Sequence, residues 1–161
     1  MVEKVLSHIV FMEGLTEQQL KLIDSLIEEV RFQQHDLIFQ QGERTRYLYF
    51  VVDGRVAIRF NPEDGPVLTV SEVSSGDVFG WSAALGTTCY TSSAVCLEDG
   101  HFLRLEGDDL KKLCQEHPET GILILNRLAG VIAQRLRGTH EKVVAMLHQG
   151  LNHDQEGGLS K

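Results

Sequence analysis

The chain has 161 residues, 42% of them hydrophobic and 24% charged, which is enough apolar material for one compact domain with its own core and one appended element. Fifteen Lys and Arg against 23 Asp and Glu leave a formal net charge of -8, which argues against a protein whose main surface grips nucleic acid. The local exception is Arg127, Arg135, Arg137 and Lys142, gathered on one late stretch.

Helical spacing opens the chain, with Val2, Val5, Leu6, Ile9 and Val10 on one face before Gly14 breaks it. A second helix starts at Thr16, where Gln19 stands three residues on, as a capping box requires. Leu20, Ile23, Leu26, Ile27 and Val30 give its buried stripe. Short strands follow: Leu37-Ile38-Phe39, ended by Gly42, and then Tyr47 to Val52, rich in aromatic and β-branched residues. Asp53-Gly54 lies between that run and the alternating Arg55 to Phe60, which predicts a tight hairpin turn. Asn61 to Pro66 is a further turn, and Val67 to Val73, Ala94 to Leu97 and Phe102 to Leu105 complete a set of about eight strands, as in a sandwich or barrel.

Helices return at Gly107, with Asp108 placed to cap Asp109 to Gln115, and Pro118 sits where a long helix begins. Leu125, Ala129, Ile132, Leu136, Thr139, Val143 and Met146 recur at alternating spacings of four and three, a heptad seam that predicts pairing with a second copy of the chain. Gly150 to Lys161 is polar and patternless and is expected to be a disordered tail. Three divisions follow: a domain over 1–117, a dimerisation helix over 118–148 and a tail over 149–161.

Gly76 to Val95 has the form of a phosphate-binding loop: a strand, a Phe-Gly turn, a short helix of small residues, then a strand rich in hydroxyls. It carries no Lys, Arg, Asp or Glu from Phe79 to Val95, although a loop that holds an anion ordinarily sets a cation beside it. The order of elements, with Phe32-x-x-x-Asp36-Leu37-Ile38-Phe39-x-x-Gly42-Glu43, Tyr47 to Val56, Gly76-Asp77-Val78-Phe79-Gly80 and Leu103-Arg104-Leu105 with Leu110, resembles the cyclic-nucleotide-binding domain of the catabolite activator and fumarate-nitrate regulator superfamily. The resemblance covers about Leu15 to Leu147. It implies a mainly β fold with flanking helices: a double-stranded β-helix (jelly-roll, cupin-like) barrel, two N-terminal helices and a long C-terminal helix.

It also implies a site at Phe79, Gly80, Trp81, Ser82, Ala83, Thr91, Ser92 and Ser93. In members that bind cyclic nucleotide, a Glu after the Phe-Gly holds the ribose 2′-hydroxyl; Trp81 stands there. An Arg opens the returning strand and pairs with the phosphate; Thr91 stands there, after Tyr90 where a Pro is common. Ser92 and Ser93 are compatible with the family's small residues. Losing a charge-assisted bond of that kind costs about 1.5–3 kcal/mol, so cyclic AMP is expected to bind weakly or not at all. The backbone of Gly80 to Ala84, at a helix start, is left to receive an anion. Trp81 has two readings: it fills the vacated pocket, or it stacks on a more apolar ligand.

No acid–base, nucleophile or metal constellation is visible. The seven histidines form no HxH or HExxH, and Gly80-Trp81-Ser82-Ala83-Ala84 lacks the last glycine of a nucleophile turn. Cys89, Cys96 and Cys114 have no CxxC spacing, which fits half-buried free thiols in a reducing cytoplasm; no signal peptide is expected, and no apolar run reaches about 20 residues. The function expected is a non-enzymatic, cytoplasmic sensory module without cofactor or metal, and not a membrane protein. It would be homodimeric, signalling to a protein partner and binding a small ligand other than cyclic AMP, or none. The rivals are a weak cyclic AMP or cyclic GMP receptor and a structural domain with a plugged pocket. The superfamily's helix-turn-helix is not expected in the few residues after the long helix, and so neither is direct DNA binding by this chain.

Overall fold

The structure is a computed structural model that describes residues 9–159, the side chains of residues 10, 139, 142, 143 and 150–159 excepted. The helix predicted over Val2 to Phe11 lies largely outside the described residues; a 3-10 turn at Val10–Met12 is what is seen of that stretch. Helix α1 spans Glu17–Asp24 with the capping box in place: the Thr16 hydroxyl accepts from the Gln19 amide at 3.2 Å, and the Gln19 side chain accepts from the Thr16 amide at 3.0 Å.

The stripe predicted to continue this helix through Ile27 and Val30 is instead strand β1, Ile27–Phe32. Its apolar spacing fits a helix, but every residue from Ile27 to Phe32 pairs with Leu105 back to Gly100, and that ladder decides the conformation. Strands β2 (Leu37–Phe39), β3 (Tyr47–Phe60), β4 (Leu68–Val73), β5 (Val78–Phe79) and β6 (Ser93–Glu106) follow.

Among the described residues six antiparallel strands stand where about eight were predicted, and the sheet does not close. The predicted hairpin at Asp53-Gly54 is not a turn. Strand β3 runs straight through it, and β6 likewise joins the two runs predicted at Ala94 and Phe102. The two long strands lie side by side from Tyr47 opposite Glu106 to Arg59 opposite Ser93, with register shifts around Asp53 and Arg55. Gly54 has φ 112, and a Cβ there would lie 2.9 Å from the Gly100 Cα on the facing strand. The positive φ that suggested a turn serves a bulge in a crowded strand pair.

The bulge divides each long strand into two working halves. On one side Tyr47–Val51 pairs with β5 and with the part of β6 that carries β1; on the other, Val56–Phe60 pairs with β4 and with the part that carries β2. That gives four strand segments to a side, one of them β1, which was predicted as helix. The core cluster draws on both sides: Phe39, Tyr47, Tyr49, Val51, Val56, Val73, Phe79, Tyr90, Ala94, Cys96 and Phe102. The architecture is the mainly β jelly-roll that the resemblance implies, with an open sheet in place of a closed barrel.

Helix α2 spans Gly107–Glu116 and α3 spans Pro118–Leu159. The N-cap of α2 is Glu106, without a side-chain cap bond, so Asp108 does not cap it; Asp108 and Asp109 occupy the first turn, where the helix dipole favours them. The backbone of α3 continues past His148 to Leu159, where a tail was predicted. The chain divides into two compact units, Met1–Leu125 and Asn126–Lys161.

Candidate functional site

The loop from Gly76 to Val95 is built on β5, which pairs with Tyr49 and Phe50 of β3. Gly80 then takes a left-handed φ of 76 and releases the chain into a 3-10 turn at Trp81–Ala83. The turn is closed on itself. The Ala83 amide donates to Gly80 O at 3.2 Å, the Ala84 amide to Trp81 O at 2.9 Å, and the Thr87 amide to Ser82 O at 3.2 Å. Two of the amides expected to cradle an anion are therefore committed to the turn, and three residues make no useful helix dipole.

The returning segment is strapped to the loop before β3. Gly42 donates to Tyr90 O and Tyr90 donates to Glu43 O, each at 2.9 Å, and Thr45 donates to Thr88 O at 3.0 Å. Tyr90 is the anchor. Its ring stacks on Phe39 at 3.8 Å with planes 11° apart, while its hydroxyl donates to Tyr47 O at 2.7 Å and accepts from the Tyr47 and Arg46 amides at 3.0 and 3.2 Å. Phe39 also lies 6.0 Å from Phe79, so both ends of the loop converge on one ring. Tyr49 stacks on Phe79 at 5.0 Å. Burial, with Tyr90 nearby, pushes the Tyr49 phenol up to about 12, and burial also raises Tyr90.

Of the residues proposed from sequence, Phe79 is fully buried in this aromatic stack and presents no side-chain surface. Ser82 is buried; Gly80, Trp81, Ala83, Ser92 and Ser93 are half-buried; Thr91 is exposed. The Ser93 hydroxyl accepts from the Gln41 amide at 2.8 Å. The fold also sets Arg59 opposite Ser93 in the β3–β6 register, a cation the sequence left far from the loop. The anchoring role of Tyr90 was likewise missed; a buried aromatic within a hydroxyl-rich run was the available signal.

The turn also abuts the start of α2, where Gly107 is bonded to the segment before β3. The Gly107 amide donates to Arg46 O at 2.9 Å, and a Cβ on Gly107 would lie 2.3 Å from Ala83 O, so only glycine admits this contact between the turn and the helix start. On the seam of α3, Leu125 and Ile132 are half-buried and Ala129 is exposed, while Leu136 and Met146 are 65% and 69% exposed; the side chains of Thr139 and Val143 lie outside the described residues. Cys96 is buried and Cys114 half-buried as expected, with thiols pushed up by burial, but Cys89 is exposed. Among the described residues no group of three or more His, Cys, Asp or Glu is placed to hold a metal ion, and no helix is long and apolar enough to cross a membrane.

The profile of the cyclic nucleotide-binding domain matches residues 29–117. The chain is 30% identical over 124 residues to the cyclic AMP receptor protein of Thermus thermophilus, covering 77% of this chain and 56% of that protein, so it spans little more than half the length of that relative. Among solved structures, a cyclic nucleotide-binding domain from Methylobacillus flagellatus superposes with a TM-score of 0.79 at 17% identity, covering 90% of this chain and 82% of that one. A mutant regulatory subunit of a cAMP-independent protein kinase A from Trypanosoma brucei, bound to cAMP, superposes with a TM-score of 0.70 at 21% identity, covering 89% of this chain and 49% of that one; one of its substitutions replaces a threonine with an arginine.

Proposed function

The chain belongs to the cyclic nucleotide-binding domain family, and from that premise we propose that it is a non-enzymatic sensory module whose cassette takes a small ligand other than cyclic AMP, or none. The observation that carries this is the pair of residues at the two polar positions of the cassette: a half-buried Trp81 where the ribose carboxylate would stand, and an exposed Thr91 where the phosphate-binding Arg would stand. The ligand surface in this reading is Gly80 to Ala83 with Thr91 to Ser93, and it reports through the contact of Ala83 with Gly107 at the start of α2. The exposed Leu136 and Met146 support a homodimer through the α3 seam, with a protein partner as the receiver of the signal.

Calorimetric titration with cyclic AMP and cyclic GMP to millimolar concentration tests the reading. No saturable binding is expected from the natural chain, and a Kd tighter than about 10 µM, or roughly -7 kcal/mol, overturns it. The Trypanosoma mutant motivates the converse experiment. Trp81→Glu with Thr91→Arg restores both polar partners and is expected to raise cyclic AMP affinity by about 10- to 100-fold, the equivalent of one charge-assisted contact or more. A second reading, a structural domain with a filled interior, is favoured by the stack of Tyr90, Phe39, Tyr49 and Phe79. In that case the double substitution gains no affinity.

A further inference from the structure

On the side of the cassette turn that faces α2, the unit Met1–Leu125 carries a groove of about 840 Å³, within the size range of small-molecule sites. Its floor is apolar. Leu110 is buried, Cys114 and Leu125 are half-buried, and the turn contributes Ala83 and Ala84. Leu85 stands at the edge with 57% of its surface exposed, an aliphatic side chain left in water beside an apolar floor. Burial pushes the Cys114 thiol up, which keeps that part of the floor neutral.

The rim is charged, with a small excess of cations. Arg44, Arg46 and Lys111 line the groove against Glu106 and Asp108. Arg46 is already engaged, 3.3 Å from Glu106 and over the Tyr47 ring. Arg44 and Lys111 are exposed, and among the described residues neither makes an ion pair. With Arg46 paired to Glu106, Arg44 and Lys111 stand against the single carboxylate of Asp108, an excess of one positive charge in a chain that is acidic as a whole, at -8. An anionic head and an apolar body match these two features together.

We propose that this groove is a second binding site, for a small amphipathic carboxylate: its apolar body lies on Ala84, Leu85 and Leu125, and its head is met by Arg44 and Lys111. The proposal does not rest on the ligand assigned to the cassette. The two sites share one wall, because Ala83 belongs to the cassette turn and also lines the groove beside Gly107. A ligand here bears directly on the contact between that turn and α2.

The test uses the full chain, nitrogen-15 labelled, titrated with decanoate and with decan-1-ol as the uncharged control. Saturable amide shifts at Ala84 to Thr88 and Gly107 to Lys111 are expected with decanoate and not with decan-1-ol. Arg44→Gln with Lys111→Gln, both at exposed positions, is expected to weaken decanoate binding about tenfold or more without altering the rest of the spectrum. The proposal is overturned by an unsaturable response, by shifts confined to Thr91 to Val95, by equal binding of decan-1-ol, or by unchanged affinity in the double variant. Failure of cyclic AMP to bind, or its success, bears on the cassette alone and leaves this outcome readable.

Discussion

Replacing Tyr90 with Phe isolates the hydroxyl that ties the cassette's return to the first residues of β3. The ring and its stack on Phe39 remain, while three hydrogen bonds of 2.7, 3.0 and 3.2 Å are lost. Arg46 is exposed, so its amide regains water on the loss. Tyr47 is buried, so its amide and its carbonyl are both left short of a partner. At about 1–3 kcal/mol for each buried polar group left unsatisfied, the two groups give an expected destabilisation of about 2–6 kcal/mol. Truncation to Ala removes the ring too and falls in the range of about 3–5 kcal/mol or beyond that is usual for a buried aromatic. Urea unfolding followed by circular dichroism measures both variants, and hydrogen exchange at the Tyr47 amide locates the effect. A loss below about 0.5 kcal/mol for Tyr90→Phe, the range of ordinary surface substitutions, with unchanged exchange at Tyr47, would refute the anchoring argument.

Gly107→Ala forces a Cβ to within 2.3 Å of Ala83 O, so the turn must move off α2; a loss of about 1–3 kcal/mol is expected, with a shifted emission maximum from Trp81, the only tryptophan. The Tyr49 phenol ionises near 12 when folded and near 10 in the unfolded chain, so the unfolded state releases its proton first. Its contribution, about 2–3 kcal/mol, is whole below pH 10 and is lost as pH rises through 12; Tyr49→Phe should flatten stability over that window in a pH series of urea melts. On the α3 seam, Leu136→Glu at a 65% exposed position should convert a dimer to a monomer in sedimentation velocity without lowering the melting temperature of the β-domain. A sedimentation coefficient independent of this substitution removes the seam as the interface.

Local chemistry was legible wherever it was decided by neighbours in the chain. The Thr16 and Gln19 capping box, the start of α3 at Pro118 and the Phe79-Gly80 turn all follow from side chains within a few residues of the backbone groups they serve. The family's motifs were legible for the same reason, since each is a short run. The misreadings share a cause of the opposite kind. Ile27 and Val30 have helical spacing, yet β6 claims them as a strand from more than seventy positions away. Asp53-Gly54 has turn chemistry, yet the facing Gly100 makes it a bulge.

The candidate site divides in the same way. The missing charges between Phe79 and Val95, and with them the departure from the family's polar partners, are properties of the sequence alone. The stacking of Tyr90 on Phe39, the commitment of the Ala83 and Ala84 amides to their own turn, and the gathering of Arg44, Lys111 and Leu85 around one groove were decided only by the tertiary structure. Composition and motif establish which groups the chain has to offer. Which of them remain available depends on hydrogen bonds and ring contacts between residues distant in sequence, which form only when β3 and β6 pair and bring both ends of the loop onto the same ring.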